Sequence, residues 1–420
     1  MGSMEQPRQD ADVMVIGAGI IGLATAYALV EAGRKVLLVD RKGIAEETSR
    51  GNAGGLAFSD VLPMANAGML AKLPRWLADP LGPLTIPPAY LMQITPWLVR
   101  FWRAGWPDRA AASIKAQSAM MRLAASEMAA LVNDAGLAAM VRSDGVLELY
   151  ESEAELAAAG PGWRARAAEG IGFAHVRGAD LAALQPGLAP RFVAGTFIPK
   201  WQTVSDPFDF ATAIGTVVQQ RGASFRRAEV KRLAPVDGGV RVTLADGQEL
   251  VAGRVVVAAG AWSKALTKPL GDAIPLDTER GYNTTLPPGS FDLRRQLTFG
   301  GHGFVISPLT SGIRVGGAVE LGGLHLPPNF ARADAMLKKA KAFLPDLQTA
   351  GGKQWMGFRP SLPDSLPVIG FSRAGRNIVY AFGHGHLGLT QSAATGRLVS
   401  ELLTGAPLSL DLTPFSPQRF

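Results

Sequence analysis

The sequence predicts an α/β protein built around a parallel sheet gathered from separated segments, with an inserted α+β domain carrying a mostly antiparallel sheet. Three observations carry this. Short apolar strands and helices alternate near both ends of the chain. The runs 278–286, 297–299, 304–307 and 312–319 read as antiparallel strands and lie between those ends. And residues 13–40 give strand, glycine turn, helix, strand and acid, in the order of a dinucleotide-binding unit.

In that unit the strand at 13–16 runs straight into GAGIIG at 17–22. Gly17 turns the chain off the strand, Gly19 leaves the backbone open to a pyrophosphate, and Gly22 lets the helix sit close on the sheet. The helix predicted over 20–31 presents its dipole and the backbone of Ala18, Ile20 and Ile21 to an anion. Gly33 stops it. A second strand, 36–39, ends on Asp40, 18 residues after Gly22, where a carboxylate can accept a ribose hydroxyl; Arg41 and Lys42 follow. With 49 glycines a bare GxGxxG means little. The flanking strand, helix and acid make this one specific, and the fold is Rossmann-like.

The remaining elements follow in order. Residues 62–107 are proline-rich and apolar and hold four of the eight tryptophans: Trp76, Trp97, Trp102 and Trp106. Residues 110–139 have helical spacing. A strand is predicted at 145–150, a helix at 152–170, and a helix at 206–221 opened by Asp206 and Pro207. Strands at 228–233, which includes Val230, and at 240–244 precede a buried strand at 254–258. That strand ends in the small residues Ala259, Gly260 and Ala261, before Trp262. After the antiparallel run come a helix at 331–344, a strand at 378–382 and a helix at 391–403. The expected division gives 11–60, 200–275 and 355–410 to the nucleotide domain and 61–199 and 276–354 to the inserted domain.

Composition excludes several classes. There is no cysteine, hence no disulfide or thiolate metal site, and five scattered histidines argue against any metal centre. The net charge of +7 comes without a dense Lys/Arg run, so a nucleic-acid partner is not expected; acidic substrates or anionic membrane surfaces are mildly favoured. Met1 to Ser3 before Met4 reads as a cloning scar. The nucleotide motif begins almost at once, which points to the cytoplasm or the cytoplasmic face of the inner membrane.

Three more segments favour a flavin over a nicotinamide. ETSRGNAGG at 47–55 brings Thr48, Ser49, Asn52, Ala53, Gly54 and Gly55 to a loop suited to a flavin ring. VVVAAGAW at 255–262 closes a strand on a small-residue turn. GHGHLGLT at 383–390 places Gly385, His386, Leu387, Gly388, Leu389 and Thr390 at a strand-to-helix turn, whose N–H groups suit the charge of a reduced flavin.

With RGYNTTLP at 280–287, IRVGGAVE at 313–320 and WMGFRPSLPDSLPVIG at 355–370, these motifs resemble the flavin-dependent amine oxidoreductases. That family includes glycine oxidase, sarcosine oxidase and D-amino-acid oxidase, and the chain is most similar to the bacterial D-amino-acid dehydrogenase branch. The resemblance covers nearly the whole chain. It implies noncovalent FAD and oxidation of a D-amino acid at its α-carbon, by hydride transfer to flavin N5, to an imino acid. His386 departs from the common type, which tends to have a small residue there. It resembles the D-hydroxyproline subgroup and raises D-proline and cis-4-hydroxy-D-proline as substrates.

The resemblance also implies roles. Arg359 matches the family's carboxylate-binding arginine, against the plainer alternative of a turn arginine paired with Asp364. Tyr282 either closes over the substrate or is an ordinary strand tyrosine. His386 contacts substrate, or is a turn histidine bonded to backbone; His384, His302 and Arg314 are weaker candidates. The family needs no protein base. For the electron acceptor, the stretch 88–106, rich in Trp and Leu with Arg100 and Arg103, suits a membrane interface and therefore a quinone, or else a covering helix; oxygen is equally open. Two further readings stay open: a glycine- or sarcosine-type oxidase, and a flavin-binding subunit of a larger complex. The oligomeric state is not legible.

Overall fold

A computed structural model describes residues 9–65, 79 and 81–420; Trp76 and the first three residues lie outside them. In chain order the framework elements are β1 (Ala11–Ile16), α1 (Ile20–Glu31), β2 (Val36–Asp40), α2 (Leu91–Ala104) and α3 (Pro107–Asp134). Then come β3 (Glu249–Val257), β4 (Asp277–Leu286), β5 (Gly312–Glu320), β6 (Lys353–Ser361), β7 (Gly375–Phe382) and α4 (Gly388–Thr404).

The first sheet has a parallel core in the order Ser224–Arg227, β2, β1, β3, β7. Its strands are near-continuous apolar runs because both faces are covered. β3 is long enough to serve two neighbours on one edge. Its first half pairs antiparallel with Gly239–Leu244, and its second half pairs parallel with β7. Helix α1 is buried on nearly every side, between the sheet and α4. That crossing needs small residues: a Cβ on Gly396 of α4 would lie 2.4 Å from Ala24 O of α1.

The second sheet has nine strands, running from β6 through β4, β5, Phe304–Leu309, Gln296–Phe299, Val146–Tyr150 and Ala194–Ile198 to Ala174–Arg177. Leu84–Thr85 adds to β5. Two pairings are parallel and the rest antiparallel. β6 belongs to this sheet, so its segment runs past the boundary expected at residue 355.

Two helices differ from the sequence expectation in their bounds. The helix expected at 110–139 begins at Pro107, whose missing N–H suits a first helical position, and ends at Asp134 before Gly136 at φ +68°. The helix expected from 391 starts three residues earlier, at Gly388. The stretch at 88–106 forms α2 straight through Pro96.

Candidate functional site

Two cavities adjoin, sharing Thr48, Asn52 and Gly385 in their walls. The first opens where β1 turns into α1. Gly17 stands at φ +107°, and a Cβ there would lie 2.3 Å from Ala258 O; a Cβ on Gly22 would lie 1.8 Å from Gly17 O. Both positions are closed to other residues by backbone. At Gly19 a Cβ would meet only Ser49 Oγ, at 3.3 Å, so little protein fills the space above it. The N-cap residue of α1, Gly19, brings no side chain and no acid lies in the first turn, so the positive helix end faces the cavity with its Ile20 N–H taken by Ser49.

The loop residues are fixed by backbone donors. Ser49 Oγ accepts the Ile20 N–H at 2.9 Å. Asp40 accepts the N–H groups of Ala18, Lys42 and Gly43 at 2.9, 2.8 and 3.1 Å while lining the cavity. The Arg41 guanidinium lies 3.8 Å over the Trp262 ring and bonds Glu47. Val230, Ala259, Gly260, Gly388 and Leu389 complete the walls.

His384 reaches this cavity from the far side. Its Nε2 lies 2.9 Å from Thr395 Oγ1, whose own hydrogen goes to Gln391 O. The ring hydrogen is therefore on Nε2, and Nδ1 is a buried acceptor without a partner among the described residues. Burial pulls its pKa down to about 3, so the ring is neutral. A helix start with no acid in its first turn, a glycine cradle, a fixed acid and an orphan acceptor together fit a dinucleotide.

Some expected cofactor residues stand elsewhere. Lys42 is exposed and pairs with Glu47 rather than lining the cavity. Thr390 takes the Ala57 N–H at 2.9 Å, and the Gly54 N–H goes to Asn52, so both support the loop from behind. Ala53, Gly55, Leu387, His386 and Arg359 line the second cavity.

The second cavity, about 680 Å³, lies over one face of β4, β5 and β6. Pairing sets its floor. In the ladder Glu279 faces Arg359, Gly281 faces Gly357 and Asn283 faces Trp355, all on the same side by strand alternation. The Arg359 guanidinium lies across Gly281, where a Cβ would come within 2.2 Å of it. It donates to Ala318 O at 2.9 Å and Gly317 O at 3.4 Å. Those carbonyls are available because β5 carries a one-residue bulge there, with Ala318 at φ +54°. The alternative partner Asp364 is bound by Arg419 instead.

Glu279 was not foreseen. It is buried, and its Oε2 is 2.6 Å from His386 Nε2. Burial pushes its carboxyl up, but His386, Arg359 and Ser361 outweigh this and hold it below the usual carboxylate range. Arg359 in turn is lowered by burial and raised by Glu279, with burial prevailing. A carboxylate sharing the parity of Gly281, two residues along the same strand, was the available signal.

Tyr282 borders the second cavity but has the other strand parity, with its side chain packed behind the sheet. Its hydroxyl donates to Glu320 at 2.5 Å and accepts the Asn329 N–H at 3.0 Å, within the core behind the sheet. Arg314 bonds Thr285 and the carbonyls of Arg50 and Asn52, clamping the 50–52 turn to the sheet. His302 pairs with Glu151 at 2.9 Å, outside both cavities. The walls are aromatic: Trp97, Phe101 and Trp102 from α2, with Trp201 and Trp355. The Trp355 indole rests on Gly51 and Gly357, where a Cβ would lie 1.9 Å from the ring.

Residues 12–402 match the family described as DAO, FAD dependent oxidoreductase. The chain is 35% identical over 415 residues to a D-amino-acid oxidase of Bradyrhizobium diazoefficiens, covering 97% of this chain and 98% of that protein. It is 31% identical over 418 residues to a D-amino acid dehydrogenase of Rhizobium johnstonii, covering 97% and 99%. Its fold is similar to glycine oxidase from Geobacillus kaustophilus, with a TM-score of 0.77 at 21% identity over 98% of this chain and 99% of that one. With a cradle that fits the dinucleotide and a family match over most of its length, the chain belongs to the FAD dependent oxidoreductases, and its cofactor is FAD.

Proposed function

We propose that this enzyme oxidatively deaminates D-amino acids as a dehydrogenase, taking its substrate in the aromatic cavity. The carrying observation is Arg359: a guanidinium fixed by two bulge carbonyls on the floor of a cavity that adjoins the FAD cradle. Its remaining donors suit a carboxylate, and the fork gives that carboxylate one orientation. Bound FAD supplies a hydride acceptor for the α-hydrogen. The chain supplies the rest. Arg359 orients, the tryptophan walls exclude water and take an apolar side chain or ring, and His386 contacts the substrate's polar end. Water then hydrolyses the released imino acid, or the product stays cyclic when the substrate is D-proline or cis-4-hydroxy-D-proline, which His386 in its GHGHLG turn favours.

Quinone is the proposed acceptor, reached from the cytoplasmic face of a membrane. The support is the outer face of α2, where Met92 is 90% and Trp102 56% exposed, beside exposed Leu91, Val99, Arg100 and Arg103. No described helix is long and apolar enough to cross a membrane. Oxygen is the second reading, favoured by the relative named D-amino-acid oxidase.

The test is anaerobic bleaching of the purified yellow protein by D- and L-alanine, D- and L-proline, cis-4-hydroxy-D-proline, glycine and sarcosine. Bleaching by D-forms alone is expected, and bleaching by glycine or sarcosine alone overturns the reading. Peroxide release in air decides for oxygen. Co-sedimentation with anionic vesicles, lost in Trp102→Ser, is the expected sign of membrane contact.

A further inference from the structure

We infer that His386, held by Glu279, takes the proton from the substrate's ammonium group before the α-hydride leaves. His386 is then a catalytic residue and Glu279 its positioning residue. The inference rests on the amino-acid reading above. An amino acid at neutral pH carries an ammonium, which has no lone pair with which to form the C=N bond as the α C–H electrons depart. A substrate that binds in its ammonium form therefore needs a proton acceptor inside the cavity.

Among the described residues three such side chains line it: Glu279, His386 and Asp60. Asp60 stands at the rim, 43% exposed and 3.5 Å from Arg166. Glu279 is buried opposite Arg359 and is already engaged by His386. That leaves His386, about one-third exposed, with Nε2 on Glu279 and Nδ1 without a hydrogen bond among the described residues. With its hydrogen on Nε2, Nδ1 carries the lone pair. An imidazole oriented by a carboxylate behind it is the arrangement by which enzymes fix a base's tautomer and stabilise its cation.

The charges balance. The step starts from the unprotonated form of His386, beside the opposite charges of Arg359 and Glu279. The substrate's carboxylate goes to Arg359. One N–H bond of the ammonium breaks, its electron pair stays on nitrogen, and the proton bonds to Nδ1. The imidazolium then faces Glu279 while the substrate's carboxylate faces Arg359, so each new charge has an opposite neighbour. Arg314, the remaining cation on the cavity, is committed to Thr285 and the carbonyls of Arg50 and Asn52.

The experiment is anaerobic flavin reduction at limiting D-amino acid, followed across pH for FAD-loaded wild type, Glu279→Gln, Glu279→Asp and His386→Gln. In the wild type the rate falls toward acid pH as His386 becomes protonated. Glu279→Gln is expected to move that limb down by about 1–2 pH units, because the imidazolium loses its neighbouring anion. Glu279→Asp restores part of the shift. His386→Gln slows neutral-pH reduction by about 100-fold and displaces the limb upward to the substrate's own ammonium titration, leaving a rate that tracks the free-amine fraction. A merely structural Glu279 would lower the rate at every pH and leave the limb in place. A limb left at its wild-type position in both Glu279→Gln and His386→Gln overturns the inference alone. A wild type bleached by no amino acid overturns the amino-acid reading and this with it. If Glu279→Gln does not retain flavin, the limbs of Glu279→Asp and His386→Gln decide.

Discussion

The two adjoining cavities are made of different material. The FAD cradle is backbone: glycines whose missing Cβ atoms let strand, turn and helix touch, and a helix end whose polarity comes from peptide groups. The second cavity is side chain: a guanidinium, a carboxylate and an imidazole above a glycine floor, walled by indoles. The first tolerates change almost nowhere in its turn. The second fails one function at a time.

Substitutions break the two cavities differently. Gly22→Val is expected to have the largest effect, because its Cβ would lie 1.8 Å from a backbone oxygen that cannot yield. Overpacking of this kind costs about 3 kcal/mol or more, so FAD affinity should fall at least about 100-fold and the protein should purify colourless. Retention of a normal flavin spectrum would show that the cradle is less rigid than described. Arg359→Met should keep its flavin yet lose about 100- to 1000-fold in kcat/KM, the value of a buried charge-assisted pair. Arg359→Lys should recover little of this, since a point charge cannot serve two carbonyls and a carboxylate. Stopped-flow reduction distinguishes these from a binding defect in FAD.

His384 sharpens the comparison, being a side chain inside the backbone-built cavity. Its folded pKa, about 3, lies below its unfolded value of 6.5. Protons therefore favour the unfolded chain, and stability is full above 6.5 and lost as pH falls toward 3. At pH 5 the loss is about 2 kcal/mol, so His384→Gln should flatten the decline of Tm between pH 7 and 5. An unchanged decline places the acid sensitivity elsewhere. The smallest expected effect belongs to Arg314→Gln. Freeing the 50–52 turn costs about 1.4 kcal/mol, a roughly tenfold rise in the FAD Kd by fluorescence titration, with little change in substrate affinity.

The same contrast decides what could be read in advance. Gly17, Gly19, Gly22 and Asp40 announce themselves because a backbone site is local: its parts are neighbours in sequence, and their spacing is dictated by one turn. The alternation of elements likewise made both sheets legible. Glu279 and Trp355 join the floor only through strand pairing between segments separated by the whole of β5, and no local spacing encodes that register. The two roles open to Tyr282 could not be separated in sequence for the same reason. It sits one residue from Gly281, but alternation turns it into the core. Arg359 was legible only through resemblance, because its holding carbonyls belong to a bulge that leaves no residue signature beyond Ala318 at a left-handed angle.

That bulge makes the arginine's anchorage a matter of counting. Removing one residue at position 318 would bring β5 back into step with β4 and return both carbonyls to the ladder. The shortened chain would own a tidier sheet and an arginine with nothing behind it. Among relatives, then, the length of this strand should be inherited more strictly than its letters, and a gap falling here would mark a change of substrate before any substituted side chain did.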